Sequence, residues 1–247
     1  MRVVKADDYQ TWFIEENDYG VLIDPWLDKK LNPENSVLLQ RERKEASSLS
    51  QEELDKVELV IITAPFIDHL HMPSIKKLNS RVKIVTTKKV KKILIKNQIE
   101  NPICCINNQI MGFGPFKLSV FPAGFPYSLS AFCFFLENSK GKILFHEGHK
   151  ANFRALKKIG KKCDAVLITL DEVKFLGLIT LSMGFEEGVK IASLLEAKRI
   201  MATGTQPNEI KGLIKYFLST KQVGELKSNE FELYTKKGEE VLLSLPY

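Results

Sequence analysis

All four histidines of this 247-residue chain fall in two short stretches, Asp68-His69-Leu70-His71 and His146-Glu147-Gly148-His149. Imidazoles and carboxylates grouped in this way can ligate a metal, exchange protons, or tie down a loop by hydrogen bonding. Each stretch follows an apolar run, Val60-Ile61-Ile62 before the first and Ile143-Leu144-Phe145 before the second. Both therefore read as loops at strand ends, where α/β sheets place their sites. In an extended segment residues two apart share a face, so His69 and His71 can aim at one point. Taken singly, each group has a plainer reading: Asp68 as the cap of the following turn, His146 or His149 as a hydrogen-bonded surface imidazole. Taken together, the grouping of every histidine at two strand ends favours a shared site.

The elements that would hold these loops can be read from hydrophobic periodicity. Strands are expected at 11–16 and 20–23, the second ending in the turn Asp24-Pro25-Trp26. Residues 28–56 are polar and read as a surface excursion that closes on a short helix at 51–57. A strand at 59–63 leads into the first histidine loop, and Pro73 opens a helix over 73–78, a position where its missing N–H is no loss. Further strands are expected at 82–86, 103–110, 116–121, 131–136 and 142–145, the last two forming a hairpin about Asn138-Ser139-Lys140-Gly141. Beyond them come helices at 152–158, 185–197 and 208–218, strands at 165–170 and 200–203, and a terminal hairpin at 231–245 about Lys237-Gly238. No linker interrupts this order, which implies a single layered α/β domain over 1–247 with helices outside sheets.

Composition narrows the class. Hydrophobic residues make up 44% and charged residues 27%, ordinary for a globular protein with a real core. No stretch approaches the roughly 20 apolar residues that span a bilayer, and the N-terminus has no signal-peptide core, so a cytoplasmic protein is expected. Cys104, Cys105, Cys133 and Cys163 lack Cys-x-x-Cys spacing and are expected as reduced core cysteines. The formal charge of +6 raises the question of nucleic acid. Its excess is local, with nine Lys or Arg and no acidic residue from Lys76 to Lys96. There Lys88, Lys89, Lys91, Lys92 and Lys96 alternate with Val90, Ile93 and Leu94 at helical spacing, as on the wet face of an amphipathic helix. No aromatic residue interrupts the run to stack a base. The expected partner is a small-molecule substrate, with neither nucleic acid nor membrane. Oligomeric state leaves no signature.

The ordered segments GVLIDPWL, ELVIITAPFIDHLHMPSIKKL, GKILFHEGHKANF and LSMGFEEGVKIASLLEAKRIMATGT resemble the metallo-β-lactamase-fold hydrolases over nearly the whole chain. The closest likeness is to a divergent branch that includes a cyanobacterial and plant set and the ascorbate-phosphate lactonase type. The resemblance implies a four-layer αββα sandwich. It also implies a motif Thr/Ser-His-x-His-x-Asp-His, of which Thr63, Asp68 and His69 match while Ala64 and Phe66 replace two histidines. The family's third ligand to its first metal falls near Ala123-Gly124, so that site is expected to be gone. For the second site, His149 stands where the family has a bridging Asp, and Thr203 where it has a C-terminal His.

A bridging carboxylate spans two metals whereas an imidazole nitrogen donates to one, so these changes are mutually compatible. What the resemblance implies is one divalent metal, zinc or else Fe, Ni or Mn. Asp68, His69 and His149 would hold it, with His71 as fourth ligand or supporting partner. Asp68 and Glu147 are the candidate catalytic residues, and Glu147, His71 or His146 the candidate general acids. Asp24 has two readings, a turn former or a residue at the site's edge. The expected activity is metal-dependent hydrolysis of an ester, lactone, amide or phosphodiester. The alternatives are a degenerate relative that binds a ligand or partner, supported by Ala64, Phe66 and Thr203, and an RNA-processing nuclease.

Overall fold

The structure is a computed structural model that describes residues 1–31, 40–43, 45–107, 109–204, 209–221 and 230–244. Two seven-stranded sheets face each other. The first runs, edge to edge, Glu240–Leu242, Arg2–Lys5, Trp12–Glu16, Tyr19–Ile23, Val57–Ile62, Lys83–Thr86 and Ile103–Cys105. The second runs Glu232–Tyr234, Arg199–Thr203, Ala165–Thr169, Ile143–His146, Phe132–Asn138, Phe116–Pro122 and Met111–Phe113. The strands nearest the site are parallel: Tyr19–Ile23 with Val57–Ile62, and Ile143–His146 with Ala165–Thr169 and Arg199–Thr203.

Strand alternation sorts the side chains into layers. Leu59 and Ile61 point into the core between the sheets, while Val60 and Ile62 pack under the helices of the first sheet. Ala165 and Leu167 likewise face inward, and Val166 and Ile168 face the helices of the second sheet. Both faces of each central strand are buried, which is why those strands read as unbroken apolar runs. The result is the αββα sandwich.

Helix Lys88–Lys96 forms as its spacing requires. Thr87 caps it by accepting from the Val90 N–H, Val90 and Leu94 are buried, and Lys88, Lys89, Lys92 and Lys96 are exposed. Helix Met72–Lys77 carries Pro73 in its first turn. Among the described residues no helix is long and apolar enough to cross a membrane.

Several expectations need correction. The helix expected over 208–218 is a strand Glu209–Lys211, a 3-10 turn Leu213–Phe217 and a strand Leu218–Lys221, with residue 208 outside the described residues. Gly212 adopts φ +102° between the first two pieces, a conformation no helix interior accepts. The terminal hairpin (its last residue, 245, lies outside the described residues) is not a hairpin. Glu232–Tyr234 joins the second sheet and Glu240–Leu242 the first, so the turn at Lys237-Gly238 clasps the two together. A turn signal marks a reversal of the chain and not which sheet receives the next strand. Of residues 103–110 only Ile103–Cys105 pairs as strand, and residue 108 is outside the described set. The excursion at 28–56 is more than surface. Its strands Lys30–Leu31 and Gln40–Glu42 form a small sheet with Glu209–Lys211, and Arg43 is buried. A further sheet, Ile179–Ser182, Glu172–Phe175 and Leu218–Lys221, was not anticipated from the sequence. All four cysteines are free, but Cys104 is exposed rather than in the core.

Candidate active site

The two histidine stretches meet at one end of the sandwich. On the first sheet, Asp24 follows strand Tyr19–Ile23 with φ +43° and a fully buried carboxylate. That carboxylate accepts from the Thr63 N–H at 2.7 Å and from the Thr63 hydroxyl, and lies 2.7 Å from His69 Nδ1. The Thr63 hydroxyl also lies 3.0 Å from the carbonyl oxygen of Gly148, which links the two sheets at the site. Asp24 is thus both the turn residue and a partner of His69.

His69 Nε2 then faces His149 Nδ1 at 3.4 Å, with the rings nearly perpendicular. Gly148 makes this meeting possible. Its φ is +73°, and a Cβ there would lie 2.0 Å from the Phe132 carbonyl oxygen. Asp68 lies on the same side, its Oδ2 accepting from the Tyr9 hydroxyl at 3.0 Å and its backbone carbonyl from the Gln10 side chain. Phe66 and Tyr127 wall the pair, with ring centroids 5.4 and 4.1 Å from that of His149. Phe66, where the resemblance implies a histidine, thus supplies an aromatic wall, and Ala64 is fully buried in the helix-side core.

Not every expected residue joins this group. His71 stands at the N-cap position of helix Met72–Lys77 without a side-chain capping bond, its Nδ1 2.7 Å from the Ser74 hydroxyl and its ring against Trp26. The Ser74 oxygen in turn accepts from the Leu27 N–H at 2.7 Å. The same-face rule fails because the loop is not extended. The N–H groups of His69 and Leu70 both return to the Phe66 carbonyl, so residues two apart diverge. Glu147 and His146 are buried on the second sheet. Glu147 Oε1 accepts from the Thr169 N–H at 2.6 Å and from its hydroxyl, whereas Oε2 has no partner among the described residues. His146 Nδ1 accepts from the Gly148 N–H and its ring stacks on Phe134, leaving Nε2 without a partner there. Thr203, where the resemblance implies a C-terminal histidine, is buried with a hydroxyl that has no partner among the described residues.

The electrostatics follow from burial and neighbours. Burial alone would lower His69, but the Asp24 charge and hydrogen bond raise it. Burial, then the charge of His69, pushes His149 and His146 each down to about 3. Burial would raise Asp68, yet the charges of His69, Arg41 and His149 hold it down at about 2. Burial lowers His71 to about 4 and raises Glu147 to about 8.

Two of the expected donors suit a metal. Nitrogens each about 2.1 Å from one tetrahedral cation stand about 3.4 Å apart, which is the His69–His149 spacing. The Asp24 carboxylate on His69 Nδ1 is the usual outer support that fixes a ligating imidazole. Among the described residues, however, no three His, Cys, Asp or Glu side chains group as they stand to hold an ion. Asp68 is the nearby carboxylate, close enough for both imidazoles to depress its pKa. Tyr9, Arg41 and Thr169 were missed in the sequence. Only the order of the fold brings them here, and no local signal marks them.

A family model described as a beta-lactamase superfamily domain matches residues 5–204. The chain belongs to this superfamily. Its fold is similar to that of an isothiocyanate hydrolase from Delia radicum gut bacteria, at 16% identity and TM-score 0.75 over 99% of this chain and 100% of that one. A metallo hydrolase from the archaeon Ignicoccus hospitalis gives 14% identity and TM-score 0.66 over 99% of both chains. A possible metal-dependent hydrolase from Veillonella parvula gives 16% and 0.66, over 82% of this chain and 84% of that one. A search of curated proteins by sequence gives no match.

Proposed function

We propose that this superfamily member is a hydrolase working with one divalent cation held by His69 and His149, with Asp68 as the third donor. The observation that carries this reading is the 3.4 Å approach of His69 Nε2 to His149 Nδ1, with His69 Nδ1 fixed by Asp24. A divalent ion bound there would acidify water to a pKa of about 7 and polarise a scissile carbonyl or phosphoryl oxygen. Zinc suits a nitrogen and carboxylate set, as do Fe, Ni and Mn.

The chain's own residues divide the remaining work. Asp24 and Thr63 fix the orientation of the His69 ring. Asp68, ionised and held by Tyr9, supplies the negative charge that balances a cation. Phe66 and Tyr127 keep bulk water off His149. Glu147, protonated at neutral pH with Oε2 unpaired, is the group able to give a proton to a leaving oxygen.

Metal analysis of protein purified without an affinity tag tests the site. One equivalent of zinc is expected in wild type and a large loss in His69→Ala and His149→Ala. Equal, near-zero metal in all three would overturn the reading. It would favour the second one, a ligand-binding relative that has lost catalysis, which draws on Ala64, Phe66, Thr203 and the lack of a third grouped donor.

A further inference from the structure

Two arginines leave the short strand Gln40–Glu42, and they are treated differently. Arg43 lies over the Trp26 ring at 4.3 Å and is fully compensated. It pairs with Asp7 at 2.8 Å and Asp8 at 3.6 Å, and donates to the carbonyls of Trp26 and Asp28. Arg41 lies over the Tyr9 ring at 4.5 Å. It makes no ion pair with an Asp or Glu among the described residues, and its Nε is buried without a partner. Arg43 is a structural clamp; Arg41 is a half-buried cation that feels the Asp68 charge across Tyr9 but touches no carboxylate among the described residues.

Its place is informative. The Tyr9 ring beneath Arg41 carries the hydroxyl that donates to Asp68 at 3.0 Å. One aromatic ring therefore separates the guanidinium from the candidate metal donors, and the Arg41 charge is felt at both Asp68 and His149. The other buried cation nearby is already engaged: Lys5 Nζ lies 2.6 Å from the Ala202 carbonyl oxygen and 3.3 Å from that of Tyr9. A guanidinium removed from water without a counter-charge is costly. Its planar fork matches the two oxygens of a carboxylate or phosphate.

We propose that Arg41 binds an acidic group, a carboxylate or a phosphate, on the molecule that occupies the His69–His149 site. This rests on the reading of that site given above, and it excludes a wholly neutral substrate. Arg41 is here a specificity residue, holding the acidic end while the scissile bond lies beyond Tyr9.

The test uses chelator-treated protein, so that no cation can bind the probe in Arg41's place. Inorganic phosphate, butyrate and neutral butyramide are titrated calorimetrically into wild type, Arg41→Gln and Arg41→Lys. Saturable binding of phosphate or butyrate to wild type is expected, weakened at least tenfold in Arg41→Gln and partly restored in Arg41→Lys, with no binding of butyramide. The tighter anion identifies the acidic group. Equal affinity in wild type and Arg41→Gln, equal binding of butyramide, or no saturable binding of either anion would each overturn the inference. Metal uptake is scored separately on the His69→Ala and His149→Ala proteins. Uptake that depends on those histidines, with anion binding indifferent to Arg41, sinks only the inference. Arg41-dependent anion binding without metal uptake sinks only the hydrolytic reading.

Discussion

On the first sheet the site is a closed network: Asp24 takes up the Thr63 N–H, the Thr63 hydroxyl and His69 Nδ1. On the second sheet, facing it, Glu147 Oε2, His146 Nε2 and the Thr203 hydroxyl are buried with no partner among the described residues. The contrast follows a division of labour. A saturated network over-determines the position of His69, as a ligating or proton-handling imidazole requires. Unpaired buried polar atoms disfavour folding by about 1–3 kcal/mol each. They are tolerated where a ligand or a proton transfer later uses them.

The strongest way to break the contrast is to separate the halves. Gly148 is their joint: its carbonyl meets Thr63, its N–H meets His146 Nδ1, and its positive φ sets the direction of His149. Gly148→Ala puts a methyl group 2.0 Å from a backbone oxygen in the second sheet. We expect a loss of about 4 kcal/mol or more in denaturant unfolding, in the range kept for severe local clashes, together with loss of metal uptake. A variant as stable as wild type would show that the halves move independently.

Next in size is the network itself. Asp24→Ala removes the acceptor of two Thr63 donors and the partner of His69, and is expected to lower stability by about 3–4 kcal/mol. Asp24→Asn should cost about half as much, because Asn tolerates positive φ and retains an acceptor for the Thr63 N–H. Thermal unfolding of the two variants separates the outcomes, and equal small shifts would mean that the network is decorative.

Above about pH 7, where the depressed imidazoles His71, His146 and His149 are neutral, the halves differ in their response to pH through Glu147 on one and Lys5 on the other. Glu147 titrates at about 8 in the fold against an ordinary 4.5, so its contribution is present below pH 4.5 and lost as pH rises to 8. Lys5, fully buried between the sheets, titrates at about 8 against 10.5, so its contribution is present above 10.5 and lost as pH falls to 8. These amount to roughly 5 kcal/mol for Glu147 and roughly 3 kcal/mol for Lys5. Metal-free wild type is therefore expected to show a local stability minimum near pH 8, with stability falling again below about pH 6 as the buried imidazoles are forced to charge. Glu147→Gln should flatten the acid limb and Lys5→Met the alkaline one. Profiles with the same shape in all three proteins would dissociate these groups from the effect.

This division was only half legible in the sequence. The layered fold was readable because central strands buried on both faces announce themselves as apolar runs, and both histidine loops were placed correctly at strand ends. Asp24 was visible as a turn residue before Pro25, but its bond to His69 depends on the parallel pairing of Tyr19–Ile23 with Val57–Ile62, which no local pattern encodes. Tyr9 reaches the site from a loop and Arg41 from the strand Gln40–Glu42, both 27 or more residues from Asp68 in the chain. Pairing also decided the fate of the C-terminal strands, since a strand's alternation is the same whichever sheet receives it. His69 and His71 do not share a face for a local reason, the tight turn from Phe66 to Leu70 that breaks two-residue alternation.

That divergence gives the smallest and most discriminating prediction. His69 and His71 are two residues apart, yet one faces His149 and the other braces the Asp24-Pro25-Trp26 turn through Ser74, whose oxygen also accepts the Leu27 N–H. Ser74→Ala removes the hydroxyl that bridges Leu27 to His71 and leaves that N–H unpaired in the interior, for an expected loss of about 1–2 kcal/mol. His71→Ala should cost a similar amount, and the double variant little more than either alone, because both act through one hydrogen-bonded unit. Neither should reduce metal uptake, in contrast to His69→Ala. If His71→Ala empties the site while Ser74→Ala does not, His71 acts as a ligand when the ion is present, and its bond to Ser74 belongs only to the metal-free protein.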